Sequence, residues 1–330
     1  MASKKCTLFS KYDRNEHFDL FFSTTWCRDR LFTSDNADDI MKFYDAFSNR
    51  DELIQWMKER PKGRAEIIEV EGNKEIIVVI PTADFDGKYA KECRENIFRG
   101  LHIIFVESGY PKDPYFNIAH NCNIGIKKAM EYNPKWIVVS NDDMKKVDDI
   151  GSLVEKLNNV NPLKAYTVYT APSSVVFVGT ERAPFYRLAS FFTYLLKGDR
   201  VTHDMIYKIR DRYNITIRWY WKSSLVGLLL KNYYQYRSSG HFAIFSFPFV
   251  EGKKGDIYDE TFINDVEDLD VFLEIYRSGK YSDVDFTISP IGGQSLGSSS
   301  KRKLRDQAGF LYLGEKMKHF RRESPRKSND

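Results

Sequence analysis

The chain has 330 residues, of which 42% are hydrophobic, and it carries a formal net charge of +4. This length and composition are enough to bury a full core, and so small a charge argues against nucleic acid as a partner. No apolar run reaches the roughly 18 residues that would cross a bilayer, and residues 1–18 lack the apolar stretch of a secretory signal. We therefore expect a globular, cytoplasmic protein.

Residues 1–74 are predicted to form an accessory segment that precedes the main domain. Within this segment the pattern favours a helix over 51–60 and a strand over 65–70. Gly72 and Asn73 then predict a turn. This turn would fold the strand back onto the following one as a β-hairpin.

Three continuous apolar runs follow, at 75–80 (EIIVVI), 101–106 (LHIIFV) and 136–139 (WIVV). Such runs are typical of strands that are covered on both faces. Helical spacing over 88–99 and over 116–131 separates them. Strands that alternate with helices predict right-handed βαβ units and a Rossmann-like, mainly parallel sheet flanked by helices. The fold class is therefore α/β.

Polar residues stand directly after each of these three strands. Because ligands of such sheets bind beyond the carboxyl ends of the strands, we expect these residues to converge on one crevice. Carboxylate oxygens suit Mg²⁺ or Mn²⁺, and substrate phosphates and water complete the coordination shell. The residues are Pro81, Thr82 and Asp84 after the first strand, Glu107 after the second, and Asp142 and Asp143 after the third.

The acidic residues at both places can also be explained by a structural role instead of a catalytic one. Asp142 or Asp143 could cap a helix, since a helix is predicted to follow them directly. Further along, Asp268 is a candidate general base, because a carboxylate within hydrogen-bond reach can accept the proton of a substrate hydroxyl. The alternative is an acidic helix N-terminus, which the helix dipole stabilises by about 0.3–1 kcal/mol.

Taken in chain order, five segments resemble the family-2 glycosyltransferases. The similarity covers about 76–279, and the segment before it adds nothing to the resemblance. The matching residues are Pro81-Thr82 after the first strand, Glu107 after the second, Asn123, Gly125, Ile126 and Ala129 on a helix, Asn141-Asp142-Asp143 after the third strand, and Tyr258-Asp259-Glu260 with Glu267-Asp268-Leu269-Asp270 later in the chain.

The resemblance implies a GT-A fold and a metal-dependent enzyme. Such an enzyme moves a sugar from a nucleotide-diphosphate donor to a hydroxyl of a glycan or lipid-linked acceptor, with inversion. It also implies that Asp143 holds Mn²⁺ or Mg²⁺, that Asp142 contacts the ribose or the metal, and that Asp268 is the base. Glu267 lies beside that base in the sequence. The implied nucleotide-sugar contacts are Pro81, Thr82, Asp84, Glu107, Asn123 and Asp142.

The chain departs from the family pattern at two places. Cys122 stands where many members have an arginine that helps to hold the phosphates. The segment 290–295 has no histidine where members often carry one. The C-terminal segment 291–330 is predicted to contain a loop over 292–300, a helix and a basic tail. Within it, the run 302–316, which includes Tyr312 and Lys316, is expected to close over the donor.

The predicted catalytic domain, 75–290, contains an aromatic insertion at about 184–237. Three interpretations stay open for this insertion: buried core, an acceptor platform, or a peripheral contact with the inner face of a membrane. His102, His120 and His241 lie in or beside apolar runs, and we expect them to be structural residues with hydrogen-bonded rings.

Two other functions compete with a transferase. A non-catalytic binding or assembly protein could keep the same fold without turnover. A sugar-phosphate nucleotidyltransferase could share the core, but it requires a glycine-rich loop with an arginine after the first strand. The segment 81–87 has one glycine and no arginine.

Overall fold

A computed structural model describes residues 24–109, 113–171, 174–180, 200–215, 217–221, 233–238, 240–291 and 300–323. It is a mixed α/β protein, in which helices cover both faces of a main sheet. Residues 292–299 of the loop predicted over 292–300, and residues 184–199, 216 and 222–232 of the aromatic insertion, lie outside the described residues. Among the described residues, no helix combines the length and the apolarity that crossing a bilayer requires.

Three helices open the described chain: α1 (Thr24–Thr33), α2 (Ala37–Asp45) and α3 (Arg50–Glu59). The last of these confirms the helix predicted over 51–60. Its N-terminus is capped by Asn49, whose side chain accepts a hydrogen bond from the Glu52 amide, as capping asparagines do.

The three apolar runs form β2 (Asn73–Thr82), β3 (Leu101–Glu107) and β4 (Trp136–Ser140), as predicted, with β1 (Glu66–Val70) before them. Strand β2 pairs in parallel with both β3 and β4. The connecting helices are α4 (Lys88–Glu92), which continues into the π-helical turn Cys93–Ile97, and α5 (Ile118–Met130).

The two connecting helices cover opposite faces of the sheet. Ala90 of α4 packs with Ile76 and Val78, whereas Ile126 of α5 packs with Ile77 and Val79. The chain steps outward from β2 to β3 and then back past β2 to β4, so helices on opposite faces give both crossovers the same hand. The carboxyl ends of all three strands therefore lie at one edge of the sheet.

The predicted hairpin at Gly72 is wrong. Strand β1 does not pair with β2; it pairs antiparallel with β3, so that β3 lies between them. Gly72 crosses the start of β3 so closely that a Cβ there would lie 2.3 Å from the carbonyl of Leu101. The glycine allows a close backbone crossing where the sequence pattern indicated a turn.

The second half of the chain completes the sheet, whose order is β1-β3-β2-β4-β10-β6-β11-β5. Strands β10 and β5 are antiparallel to their neighbours, while β6 and β11 are parallel to each other. A separate sheet has the order β8-β7-β9. The remaining elements are β5 (Met144–Lys146), α6 (Ile150–Asn158), β6 (Thr167–Ala171), β7 (Ser174–Thr180), α7 (Arg200–Tyr213), β8 (Ile217–Trp221), β9 (Tyr233–Ser238), β10 (Phe242–Ser246), α8 (Phe247–Gly252), α9 (Glu267–Ser278), β11 (Tyr281–Pro290) and α10 (Ser300–Glu323).

Candidate functional site

The ends of β2 and β3 lie side by side, as their apolar runs predict. Thr82 and Glu107 are register partners, and the Ser108 amide donates to the carbonyl of Thr82 at 2.9 Å. Oε2 of Glu107 accepts a hydrogen bond from the amide of Phe85 at 2.7 Å. Glu107 therefore holds the loop that follows β2.

That loop is a tight turn around Asp84. Oδ1 of Asp84 accepts from the Asp86 amide at 3.0 Å, and its carbonyl accepts from the Gly87 amide at 3.1 Å. The Asp84 residue is exposed, whereas Pro81 is buried within the strand. Of these two predicted contacts, Asp84 is thus the accessible one.

Asp142 connects the first strand end to the third. Its Oδ2 accepts a hydrogen bond from Oγ1 of Thr82 at 2.8 Å. Burial raises the pKa of Asp142 and the charge of Asp143 adds to this rise, while the hydrogen bond from Thr82 opposes it. The three strand ends predicted to meet do meet here.

The alternative that Asp142 or Asp143 caps a helix is wrong. The residues that follow form the short strand β5, which pairs with β11, and α6 begins only at Ile150. The cap of α6 is Asp149, whose side chain accepts from the Gly151 amide at 2.8 Å. Asp143 is 3% exposed and its carbonyl accepts from the Ile291 amide.

The donor set at this strand end fits a hard divalent cation. Asp142 and Asp143 supply carboxylate oxygens. Burial is the main cause of the raised pKa of Asp142, and a cation would offset the smaller contribution from the charge of Asp143. In the described part of the chain, no group of three or more His, Cys, Asp or Glu side chains is placed to hold a metal. Mg²⁺ commonly binds through one or two carboxylates and substrate phosphates, so this pair suits a metal that arrives with a phosphate ligand.

A cleft of about 340 Å³, counting its open mouth, lies beside this strand end. Its polar lining comprises Asn141, Gly240, His241, Glu267 and Asp268. A Cβ on Gly240 would lie 2.5 Å from Oδ2 of Asp268, so that carboxylate rests against the glycine backbone. Most of this volume is open to solvent: the part that the centre of a water molecule can occupy is about 20 Å³, which is room for about one water molecule.

The cleft brings the two predicted acidic constellations together. Asn141 directly precedes the Asp142-Asp143 pair and lines the same cleft as Asp268. The Nδ2 atom of Asn141 lies 3.0 Å from Nδ1 of His241. Asp142 and Asp143 are not among the residues that line the cleft, so Asn141 is the link between the strand end and Asp268.

Glu267 and Asp268 begin helix α9 after a strained residue. Val266 has φ = 77°, a left-handed conformation that is rare for a β-branched side chain and is found where surrounding structure enforces it. Burial raises the pKa of Glu267 well above its ordinary value, and the charges of Asp268 and Asp265 raise it further. This favours a protonated Glu267 beside Asp268.

The segment 257–265, which leads into α9, is held by asparagine side chains. Oδ1 of Asn123 accepts from the amides of Ile257 and Tyr258 at 3.1 and 3.0 Å, and its Nδ2 donates to the carbonyl of Tyr258 at 2.8 Å. The same Nδ2 donates to Glu260 at 3.1 Å. Asn123 is thus saturated by its own chain, so the structure gives it a positioning role in place of the predicted nucleotide contact.

Asn117 and Asn264 hold the same segment, and sequence reasoning missed both. Asn117 donates to the carbonyls of Glu260 and Phe262, and Oδ1 of Asn264 accepts from the Ile118 amide at 2.8 Å. Their partners lie more than 140 residues away along the chain. No local sequence pattern predicts such a contact.

Helix α10 braces the segment from the other side. Tyr312 and Lys316 both donate to Oδ2 of Asp259 at 2.8 Å, and Lys316 also bonds to Asp270. Although burial alone would raise the pKa of Asp259, Lys316 lowers it. These two residues hold the acidic segment, which differs from the predicted role of closing over a donor.

The histidines divide into two groups. His102 is fully buried and bonds to Glu69 at 2.9 Å, and His120 bonds to Glu260 at 2.9 Å, which confirms the structural role expected of them. His241 differs, because it is exposed and lines the cleft.

The arrangement places the Asp268 carboxylate in the cleft, and the Asp142-Asp143 pair directly follows Asn141, which lines the same cleft. A carboxylate in a cleft can accept a proton from a hydroxyl within hydrogen-bond reach. Compared with protein-family models and with curated protein sequences, the chain matches none of them.

Proposed function

We propose that the chain is an inverting glycosyltransferase of the GT-A fold. It would move a sugar from a nucleotide-diphosphate donor to a hydroxyl of a glycan or lipid-linked acceptor. The observation that carries the proposal is the shared cleft, in which Asn141, the neighbour of Asp142, faces Asp268. The doubly wound order of β2, β3 and β4 supports the Rossmann-like half of that fold.

The roles follow from position along the cleft. The acceptor oxygen bonds to the anomeric carbon, the bond from that carbon to the phosphate oxygen breaks, and the acceptor proton passes to Asp268. The nucleotide diphosphate leaves at the end near Asp142 and Asp143. Mn²⁺ or Mg²⁺, when bound by these two residues, neutralises the charge that develops on the leaving diphosphate.

Inversion requires that the attacking oxygen and the leaving oxygen lie on opposite sides of the anomeric carbon. A base in the cleft and a phosphate site at the strand end that follows Asn141 would meet this requirement.

Calorimetry with nucleotide diphosphates and their sugar derivatives, with and without Mn²⁺, tests the proposal. We expect Asp143→Ala to remove the Mn²⁺-dependent part of donor binding. Asp268→Asn should keep that binding and lower sugar transfer or donor hydrolysis by about 10²- to 10⁴-fold, the usual contribution of a general base. Asp51→Ala, whose side chain on α3 is 89% exposed, is the matched control and should change neither.

Two outcomes would contradict the proposal. One is the absence of donor binding across the panel, and the other is unchanged binding and hydrolysis after Asp143→Ala. Mn²⁺-dependent binding of a donor without any turnover would favour the binding or assembly protein over the enzyme.

A further inference from the structure

The transferred sugar must lie between the leaving phosphate and the base. Asp268 lines the cleft, and Asn141, which lines it as well, directly precedes Asp142 at the proposed phosphate end. The chain that connects these ends is the start of β10: Gly240 contacts the carboxylate of Asp268, and His241 contacts Asn141, the neighbour of Asp142. Gly240 and His241 therefore face the position of the sugar.

Asn141 contacts His241 twice, once through the main chain and once through the side chain, and the second contact orients the ring. The Asn141 amide donates to the His241 carbonyl at 3.0 Å, and the Asn141 side chain lies 3.0 Å from Nδ1 of the ring. In either tautomer this contact occupies Nδ1 and leaves Nε2 for a ligand. Within the described ranges, no other side chain is placed within hydrogen-bond distance of this ring.

The charge of the cleft indicates which sugars it accepts. Its lining includes the acidic residues Glu267 and Asp268, and no lysine or arginine of the described chain lines it. A sugar carboxylate would meet the like charge of Asp268 there, and Arg302, whose charge acts on Glu267, is not among the lining residues. A neutral sugar hydroxyl can hydrogen-bond to an imidazole nitrogen without that cost.

We propose that Asn141 and His241 form the subsite for the transferred sugar, and that this sugar is uncharged. Nε2 of His241 bonds to a sugar hydroxyl, and Asn141 sets the orientation of the ring. His241 is therefore a specificity-determining residue. The inference rests on the proposed function, and it adds the residue and the class of sugar.

The test compares each nucleotide with its sugar derivative: UDP with UDP-glucose, and GDP with GDP-mannose, in the presence of Mn²⁺. With the pair that binds the unsubstituted chain, His241→Ala should weaken binding of the sugar nucleotide by about five- to tenfold, the effect of one hydrogen bond. Binding of the nucleotide alone should stay unchanged, because the nucleotide does not reach His241.

Two matched variants separate the ring nitrogens. His241→Gln places an amide nitrogen near the position of Nε2, so it should retain most of the affinity for the sugar nucleotide. His241→Asn can replace the contact with Asn141 but does not reach the sugar, and it should resemble His241→Ala. UDP-glucuronate, which adds a carboxylate to UDP-glucose, should bind about tenfold more weakly than UDP-glucose.

Each contrary outcome has its own meaning. Equal weakening of nucleotide and sugar nucleotide by His241→Ala, or no weakening of either, would overturn the subsite and leave the proposed function intact. Preference for UDP-glucuronate would overturn the uncharged class of sugar. Failure of the unsubstituted chain to bind any nucleotide would overturn the proposed function and this inference together.

Discussion

The two ends of the cleft are built in different ways. The strand ends at Thr82, Glu107 and Asp142 follow regular parallel strands, whose main chain is paired along its length. The segment 257–265 has no such pairing and is positioned by side chains from α5 and α10. Regular paired strands can be predicted from apolar periodicity. A segment held by side chains cannot, because its partners lie far away in the sequence.

Removing the side chain of Asn123 tests whether the segment 257–265 depends on side chains, whereas the strand ends do not. Asn123→Ala leaves the amides of Ile257 and Tyr258 buried without acceptors, and each such loss costs about 1–3 kcal/mol. We expect chemical denaturation to show a decrease of about 2–4 kcal/mol in the free energy of unfolding.

Asn159→Ala is the control for this substitution. Asn159 is exposed at the end of α6, where its side chain bonds only to the carbonyl of Glu155 in the described structure. Its loss should change the free energy of unfolding by less than about 0.5 kcal/mol. A similar small effect for Asn123→Ala would show that side chains do not hold the segment.

The same contrast explains what the sequence predicts well. The runs that became β2, β3 and β4 are apolar on both faces, so their existence, order and polar ends could be read directly. The helix expected after Asp143 was wrong because Met144–Lys146 pairs with β11, more than 130 residues later. Asn123 was read as a ligand contact because its partners at 257–260 cannot be inferred from spacing.

A substitution at Gly240 tests the position of the proposed base, Asp268. A Cβ at this position would lie 2.5 Å from Oδ2 of Asp268, so Gly240→Ala displaces the carboxylate. A shift of about 1 Å in a reacting group can cost on the order of a hundredfold in rate. We expect the rate of sugar transfer or donor hydrolysis to fall by about ten- to hundredfold. The thermal midpoint of unfolding should be measured on the same variant.

The thermal midpoint should hardly change, because Gly240 is exposed and its neighbour is a movable side chain. Gly252→Ala, with no atom within 4 Å of the added carbon, should leave both quantities unchanged. Unaltered turnover in Gly240→Ala would argue against Asp268 as the base.

The last prediction concerns the acids between α9 and α10. Burial, followed by the charge of Asp265, raises the pKa of Asp306 to about 9 from an ordinary value of 3.8. The folded chain therefore binds more protons than the unfolded chain between these pH values, so its stability decreases as the pH rises through that window. Asp306→Asn removes this titration.

We expect Asp306→Asn to raise the thermal midpoint at pH 8 relative to the unsubstituted chain, with a gain that shrinks toward pH 5. Asp51→Asn on the surface of α3 should show no such pH dependence. A difference that grows as the pH falls would contradict the assignment of a protonated Asp306.

Strand β1 has a practical consequence for shortened versions of the chain. It occupies the outer side of β3 along the whole run Glu66 to Val70. Trimming the N-terminal segment would uncover an apolar strand with open main-chain donors and acceptors, a template for intermolecular association. Shortened chains that begin at β2 should therefore aggregate in solution, even though every residue of the cleft would still be present.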